Sequence, residues 1–366
     1  MNGNILADLP YRLDFLRFWL GNTCNLLGFC YPFIVRRTIP YAARGGARVQ
    51  FCKEYRLFCP SGMEVVLLDA GAAVTCVRMA DRNGAFANVA LPLEGIDDPS
   101  CAGVTLAPYA GRIPGGLLRI DGKAVQLSIN EGRNQIHGGP GSLAHKRWHC
   151  DGLREGPGFQ EIAFSADAQD GLDGFPGNRR FTVTYRLCAD QRLVLTLTAV
   201  TDRPTRVNLS NHAYFNLSGD FSRSAAGEQL QVCADEVYLN DGAFLACGRG
   251  APPPALDYRQ PRDVGGMDGD VQRERARGLN HCYVLSRCGD APAATLSDPC
   301  SGRRMRLYTD QPCVMVYSGG FLPVPGCAVA LEAQEHPESP FAPETPELRP
   351  GEVYRRHIVY RFDTTS

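Results

Sequence analysis

Apolar side chains recur at every second position through much of this chain. In RRFTVTYRL (179–187), Phe181, Val183, Tyr185 and Leu187 share one face of an extended strand, and Arg180, Thr182, Thr184 and Arg186 share the other. The polar link CADQ follows, and RLVLTLTAV (192–200) resumes the alternation with Leu193, Leu195, Leu197 and Ala199 in phase. Two such runs joined by a short polar link predict an antiparallel hairpin with one buried side. MEVVLLDAG, AVTCVRM, CVMVYSGG and RRHIVYRF read as further strands, and no stretch sustains a helical period beyond about three turns. With 39 glycines and 26 prolines punctuating the runs, the pattern predicts an all-β protein built as a large antiparallel β-sandwich.

The chain has 366 residues, 44% hydrophobic and 21% charged, with a formal net charge of −1. That is ample material for a core, and it gives no electrostatic case for a nucleic-acid partner, which wants a concentrated basic surface. The basic run RERARG (273–278) is diluted by flanking acids and reads as a solvated loop. Residues 18–35 are uncharged and broadly apolar, but Gly21, Asn22, Asn25, Gly28 and Pro32 interrupt them, which argues against a membrane span. Asp8 and Asp14 precede that run where a secretory signal would be basic. We therefore divide the chain into an N-terminal extension, 1–47, and one domain, 48–366. Fifteen cysteines without a C-x-x-C pair fit reduced, mostly buried thiols in a cytoplasmic protein, monomeric or homodimeric.

Five segments carry polar residues that a sandwich core does not need. APYAGRIPGG sets Arg112 among glycines and a proline, and NQIHGG sets His137 before two glycines. LSNHAYFNLSG (209–219) presents Asn211, His212, Tyr214 and Asn216. TDQPCVMVY contains Gln311, and VALEAQEHPESP alternates Val329 and Leu331 with Glu332 and Gln334. Taken singly, each has an ordinary explanation: a surface arginine, a turn, a hydrogen-bonded core histidine, a solvent-facing carboxylate. His145 and His149 are spaced H-x3-H without an H-E-x-x-H frame, and neither a G-x-S-x-G elbow nor a phosphate-binding loop occurs. What remains is a set without metal, cofactor or nucleophile, suited to proton transfer on a neutral polyhydroxylated ligand.

Taken in order, these segments resemble the aldose 1-epimerase (galactose mutarotase) family. The resemblance spans about residues 50 to 362 and includes AGRIPGG, NQIHGG, SNHAYFNLSG, DGFPGNRRFTVTYRL, DEVYLNDGAFL, GLNHCYVL, SGRRMRLYTDQPCVMVYSGG, LEAQEHPESP and LRPGEVYRRHIVYRF. It implies a large antiparallel β-sandwich and an isomerase that interconverts sugar anomers. It further implies that His212 matches the general acid and Glu332 the general base. Arg112, His137, Tyr214, Asn280 and Gln311 match the substrate side of the site, with His137 helping to hold the sugar ring near the acid. A carboxylate and an imidazole are the side chains whose pKa moves most readily toward neutrality for such work. The sequence departs from the family pattern in three places. Asn280 stands where aspartate is usual, Gly111 where asparagine precedes the arginine, and Glu338 where aspartate follows the proline after E-x-Q. These changes put the sugar in question more than the reaction. A hexose 6-phosphate epimerase, which would need a further arginine cluster, and a silent carbohydrate-binding protein are the alternatives.

Overall fold

The computed structural model describes residues 36–42, 49–266, 269–286, 290–339 and 345–365. The apolar run at 18–35 lies outside them. Among the described residues three large sheets, of five, nine and six strands, are paired antiparallel throughout. The five-stranded sheet is a meander from Arg36–Ala42 through Val49–Phe58, Glu64–Leu68 and Ala73–Ala80 to Phe86–Asn88. Its first strand pairs Arg36 to Ala42 against Tyr55 to Val49.

The nine-stranded sheet contains the predicted hairpin, Arg179–Cys188 with Arg192–Thr201. Its register places Phe181 opposite Ala199, Val183 opposite Leu197 and Tyr185 opposite Leu195. All of these inward residues are buried, while Thr182, Thr184 and Arg186 keep partial exposure. Each buried leucine contributes about 1.5–3 kcal/mol, and Leu195→Ala would cost about 2–5 kcal/mol, because a packed core collapses only partly around a lost side chain. The long strand Tyr354–Thr364 lies between Arg192–Thr201 and Arg303–Thr309, tying the C-terminus into the middle of the sheet.

The third sheet runs from Tyr214–Phe215 through Val329–Gln334, Cys313–Tyr317, Asn280–Leu285 and Ala234–Asn240 to Ala246–Gly250. Its Val314, Val316, Val329 and Leu331 join the hairpin's Phe181, Leu195 and Leu197, and the first sheet's Val65 and Leu67, in one hydrophobic core. Val66 and Leu68 are buried as well, so MEVVLLDAG reads as a continuous apolar run; it is a central strand covered on both faces.

Two expectations need correction. RERARG is no solvated loop: it supplies most of the α-helix Val271–Ala276, whose N-cap is Asp270, and Arg273 is buried there. Arg273 donates from Nη1 to the Tyr258 hydroxyl and from Nη2 to the Val264 carbonyl, and this pairing satisfies a charge that composition alone places in water. Eleven described cysteines are free thiols, as expected, but Cys233 is disulfide-bonded. Among the described residues no helix is long and apolar enough to cross a membrane.

Candidate active site

The strand Val329–Gln334 is buried along its whole length. Val329, Leu331 and Ala333 belong to the core, so Glu332 and Gln334 point to the other face. The sequence allowed that face to be solvent or the floor of a cleft, and it is a floor. Glu332 and Gln334, 3% and 1% exposed, line a cavity of about 830 Å³. Strand register extends the floor across the sheet: Met315 stands opposite Glu332, Tyr317 opposite Ala330, and Asn280 opposite Tyr317. Asn280, Met315 and Tyr317 line the same cavity. The volume is in the range of roughly 300–1,000 Å³ that holds a small molecule.

Segment 209–219 forms one wall, and its mixed composition has a geometric cause. Ser210–Asn211 pairs with Leu106 and Thr105, and Tyr214–Phe215 pairs with Ala330 and Val329, so the chain passes from one sheet to another within four residues. Backbone groups left over in such a crossing still need partners. Asn211 donates to the Gly103 carbonyl and accepts from the Ala213 N–H, while Asn216 donates to the Cys327 carbonyl and accepts from the Ser218 N–H. His212 sits between them, its N–H bonded to the Val104 carbonyl and its carbonyl to the Gly103 N–H. Its ring is stacked on Tyr214 at 4.7 Å and meets the edge of His137 at 5.4 Å.

The opposite corner is a small ribbon in which Arg112 faces Ile136. Gly111 and His137 are joined by two hydrogen bonds: the His137 N–H donates to the Gly111 carbonyl, and the Gly111 N–H donates to the His137 ring at Nδ1. Both residues have positive φ, +80° and +50°, and only the first is a glycine. Because Nδ1 accepts, the neutral ring carries its proton on Nε2. Burial first, then His212 and Arg112, hold the His137 pKa well below its ordinary value. Arg112 is gripped by Glu131, Nε to Oε2 at 2.6 Å and Nη2 to Oε1 at 2.7 Å, and lies over Phe244 at 5.2 Å.

At the centre, His212 Nε2 stands 3.6 Å from Glu332 Oε1. Burial pushes the Glu332 carboxyl up to about 8, against the smaller opposing pull of Arg112. Burial likewise lowers His212 to about 4. Between those limits the pair carries one proton, which can serve either partner. Such a pair can donate at one ligand atom while accepting at another.

Six of the seven residues singled out from sequence line this cavity: Arg112, His137, His212, Tyr214, Asn280 and Glu332. Gln311 does not. It is buried behind the floor, and its Nε2 donates to the Ala333 carbonyl. The sequence reading missed Glu131 as the partner of Arg112, and it left Phe244 and Tyr317 unassigned among the lining residues. Only Gln334 had a local signal, its position two residues beyond Glu332 on the same strand face.

The chain as a whole is similar to known proteins. Residues 53–361 match the family described as aldose 1-epimerase. The chain is 32% identical over 328 residues to the aldose 1-epimerase of Escherichia coli K12, an alignment that covers 82% of this chain and 92% of that protein. It is 30% identical over 320 residues to human galactose mutarotase, covering 82% and 91% respectively. The crystal structure of galactose 1-epimerase from Lactobacillus acidophilus superposes with a TM-score of 0.79 at 26% identity, over 91% of this chain and all of that one.

Proposed function

This chain belongs to the aldose 1-epimerase family, whose members are isomerases, and from that premise we propose that it interconverts the α and β anomers of a free aldohexose such as galactose or glucose. The observation that carries the reading is the buried pair, His212 Nε2 at 3.6 Å from Glu332 Oε1, on the wall and floor of one sugar-sized cavity.

Interconversion requires opening the pyranose. The base removes the C1 hydroxyl proton, the C1–O5 bond breaks as the C1 carbonyl forms, and the acid protonates O5. The free aldehyde turns about C1–C2, and the ring closes with each proton transfer reversed. We assign the base to Glu332 and the acid to His212. Burial favours the proton on the carboxyl; sugar hydroxyls donating to the carboxylate, together with the charge of Arg112, favour its transfer to the imidazole. His137 donates from Nε2 to a sugar oxygen beside the acid, Arg112 binds hydroxyls with the edge that Glu131 leaves open, and Tyr214 holds the His212 ring flat. Asn280 accepts hydroxyl protons with one neutral oxygen. Gln311 acts on the sugar only through the floor strand it braces.

Among the described lining residues Arg112 is the one arginine, and its charge is already paired, so a sugar phosphate finds no cluster to bind. We assign catalysis to residues 48–366 without a cofactor, as a monomer or homodimer. We place the protein in the cytoplasm on the strength of the eleven free thiols among its described residues. Polarimetry of freshly dissolved α-galactose and α-glucose tests the proposal: the expected result is equilibration well above the buffer rate, and a rate equal to buffer for every free aldose would overturn it.

A further inference from the structure

The geometry points to Gln334 as a residue of this cavity that binds a sugar hydroxyl and sets substrate selectivity, an inference that rests on the proposed reaction. Gln334 ends the floor strand two positions past Glu332, so both side chains leave the same face of the sheet. It is 1% exposed and lines the cavity, and its Oε1 receives no hydrogen bond from the described residues.

Two other glutamines show what a structural role looks like. Gln311 and Gln135 also have an unpartnered Oε1, but each spends its Nε2 on the main chain, at Ala333 and Ser128, and neither lines the cavity. Gln334 has the opposite placement, with its amide beside the corner built by Gly111, Arg112 and His137. A Cβ added to Gly111 would stand 3.6 Å from Gln334 Nε2 and 3.9 Å from Oε1, so the amide rests in ordinary contact against that glycine. The same cavity is lined by Glu332 on the floor and His137 at that corner. A sugar hydroxyl both donates and accepts, so the amide serves it in either orientation.

The test compares wild type with Gln334→Met across parent hexoses and their 2-, 3-, 4- and 6-deoxy analogues, by polarimetry. A site built to bond a hydroxyl discriminates against its absence, here by roughly 10- to 100-fold in kcat/KM for one analogue. Gln334→Met is expected to raise KM for the parent sugar by about that factor, with kcat little changed, and to erase discrimination at that one position only. Gln334→Asn, which keeps the amide but withdraws it by one methylene, gives the same pattern and covers the case in which the methionine variant misfolds. An unchanged KM, or an equal loss on every analogue, overturns the inference. Sugar-induced shifts in Tm, measured in a Glu332→Gln background, read the same coupling without turnover. A wild type inert in polarimetry but with Gln334-dependent binding would sink the reaction alone; an active wild type indifferent to Gln334 would sink this inference alone.

Discussion

Two buried carboxylates, one on each of the larger sheets, meet opposite fates. Glu161 lies on the solvent-ward face of the nine-stranded sheet, where Arg186 holds its Oε2 through Nε and Nη2 at 2.7 and 2.6 Å and Arg154 stands 3.5 Å from Oε1. Glu332 lies on the floor strand of the six-stranded sheet, buried as deeply, with a histidine at 3.6 Å and no arginine bonded to it. The first group is a structural ion pair. The second is left with the full cost of burial, and that cost lifts its pKa into the range where a proton can be exchanged near neutrality. The comparison teaches that a buried carboxylate is open to a ligand only where it lacks a committed cation and also borders a cavity, as Glu332 does.

The largest effect follows at once. Glu332→Gln and His212→Ala should each lower kcat by about 10²–10⁴, the usual contribution of a positioned acid or base. Glu161→Gln should leave kcat unchanged and cost about 1–3 kcal/mol of stability, since it weakens a charged hydrogen-bonded pair. Equal loss of activity in all three variants would erase the contrast. Next comes pH. The pair carries its single proton between about 4 and about 8, so kcat/KM should fall on the acid side near the first value and on the alkaline side near the second. Stability carries the same signature. The carboxyl of Glu332 is raised on folding, so its contribution is full below the ordinary value of 4.5 and is lost as pH climbs through about 8. Glu332→Gln should therefore gain Tm over wild type progressively from pH 5 to 8.5; Tm curves that run parallel to wild type would count against it. A smaller effect is expected at Asn280→Asp, which should lower KM roughly 3- to 10-fold by giving the sugar a charged acceptor; an unchanged KM would show that this position does not set affinity. The least effect belongs to removal of residues 1–47, which should leave kcat and KM as they are, checked with the same optical assay.

The hairpin Arg179–Thr201 was legible because its instruction is local: alternation over twenty residues fixes strand, face and partner together. His212 and Glu332 were legible only through the resemblance, because their pairing spans 120 positions and rests on strand register that no local pattern encodes. The link between Arg112 and Glu131 is of the same kind, as is the burial of Arg273, where a charged run gives no hint of the tyrosine that receives it. Gln311 illustrates the limit of carrying a role across by motif: the residue is in place, but its amide braces the strand behind the cavity. The asparagines of 209–219 suggested a site, and they are its scaffold.

The depth of the His212–Glu332 pair, 5% and 3% exposed, has a last consequence. On the proposed reaction, what one partner surrenders to the sugar the other has just collected, and each turnover returns both to their initial ionisation. Such a centre requires no conduit to bulk water and no refilling step between turnovers. It can stay sealed around its ligand for as long as the aldehyde needs to swing round.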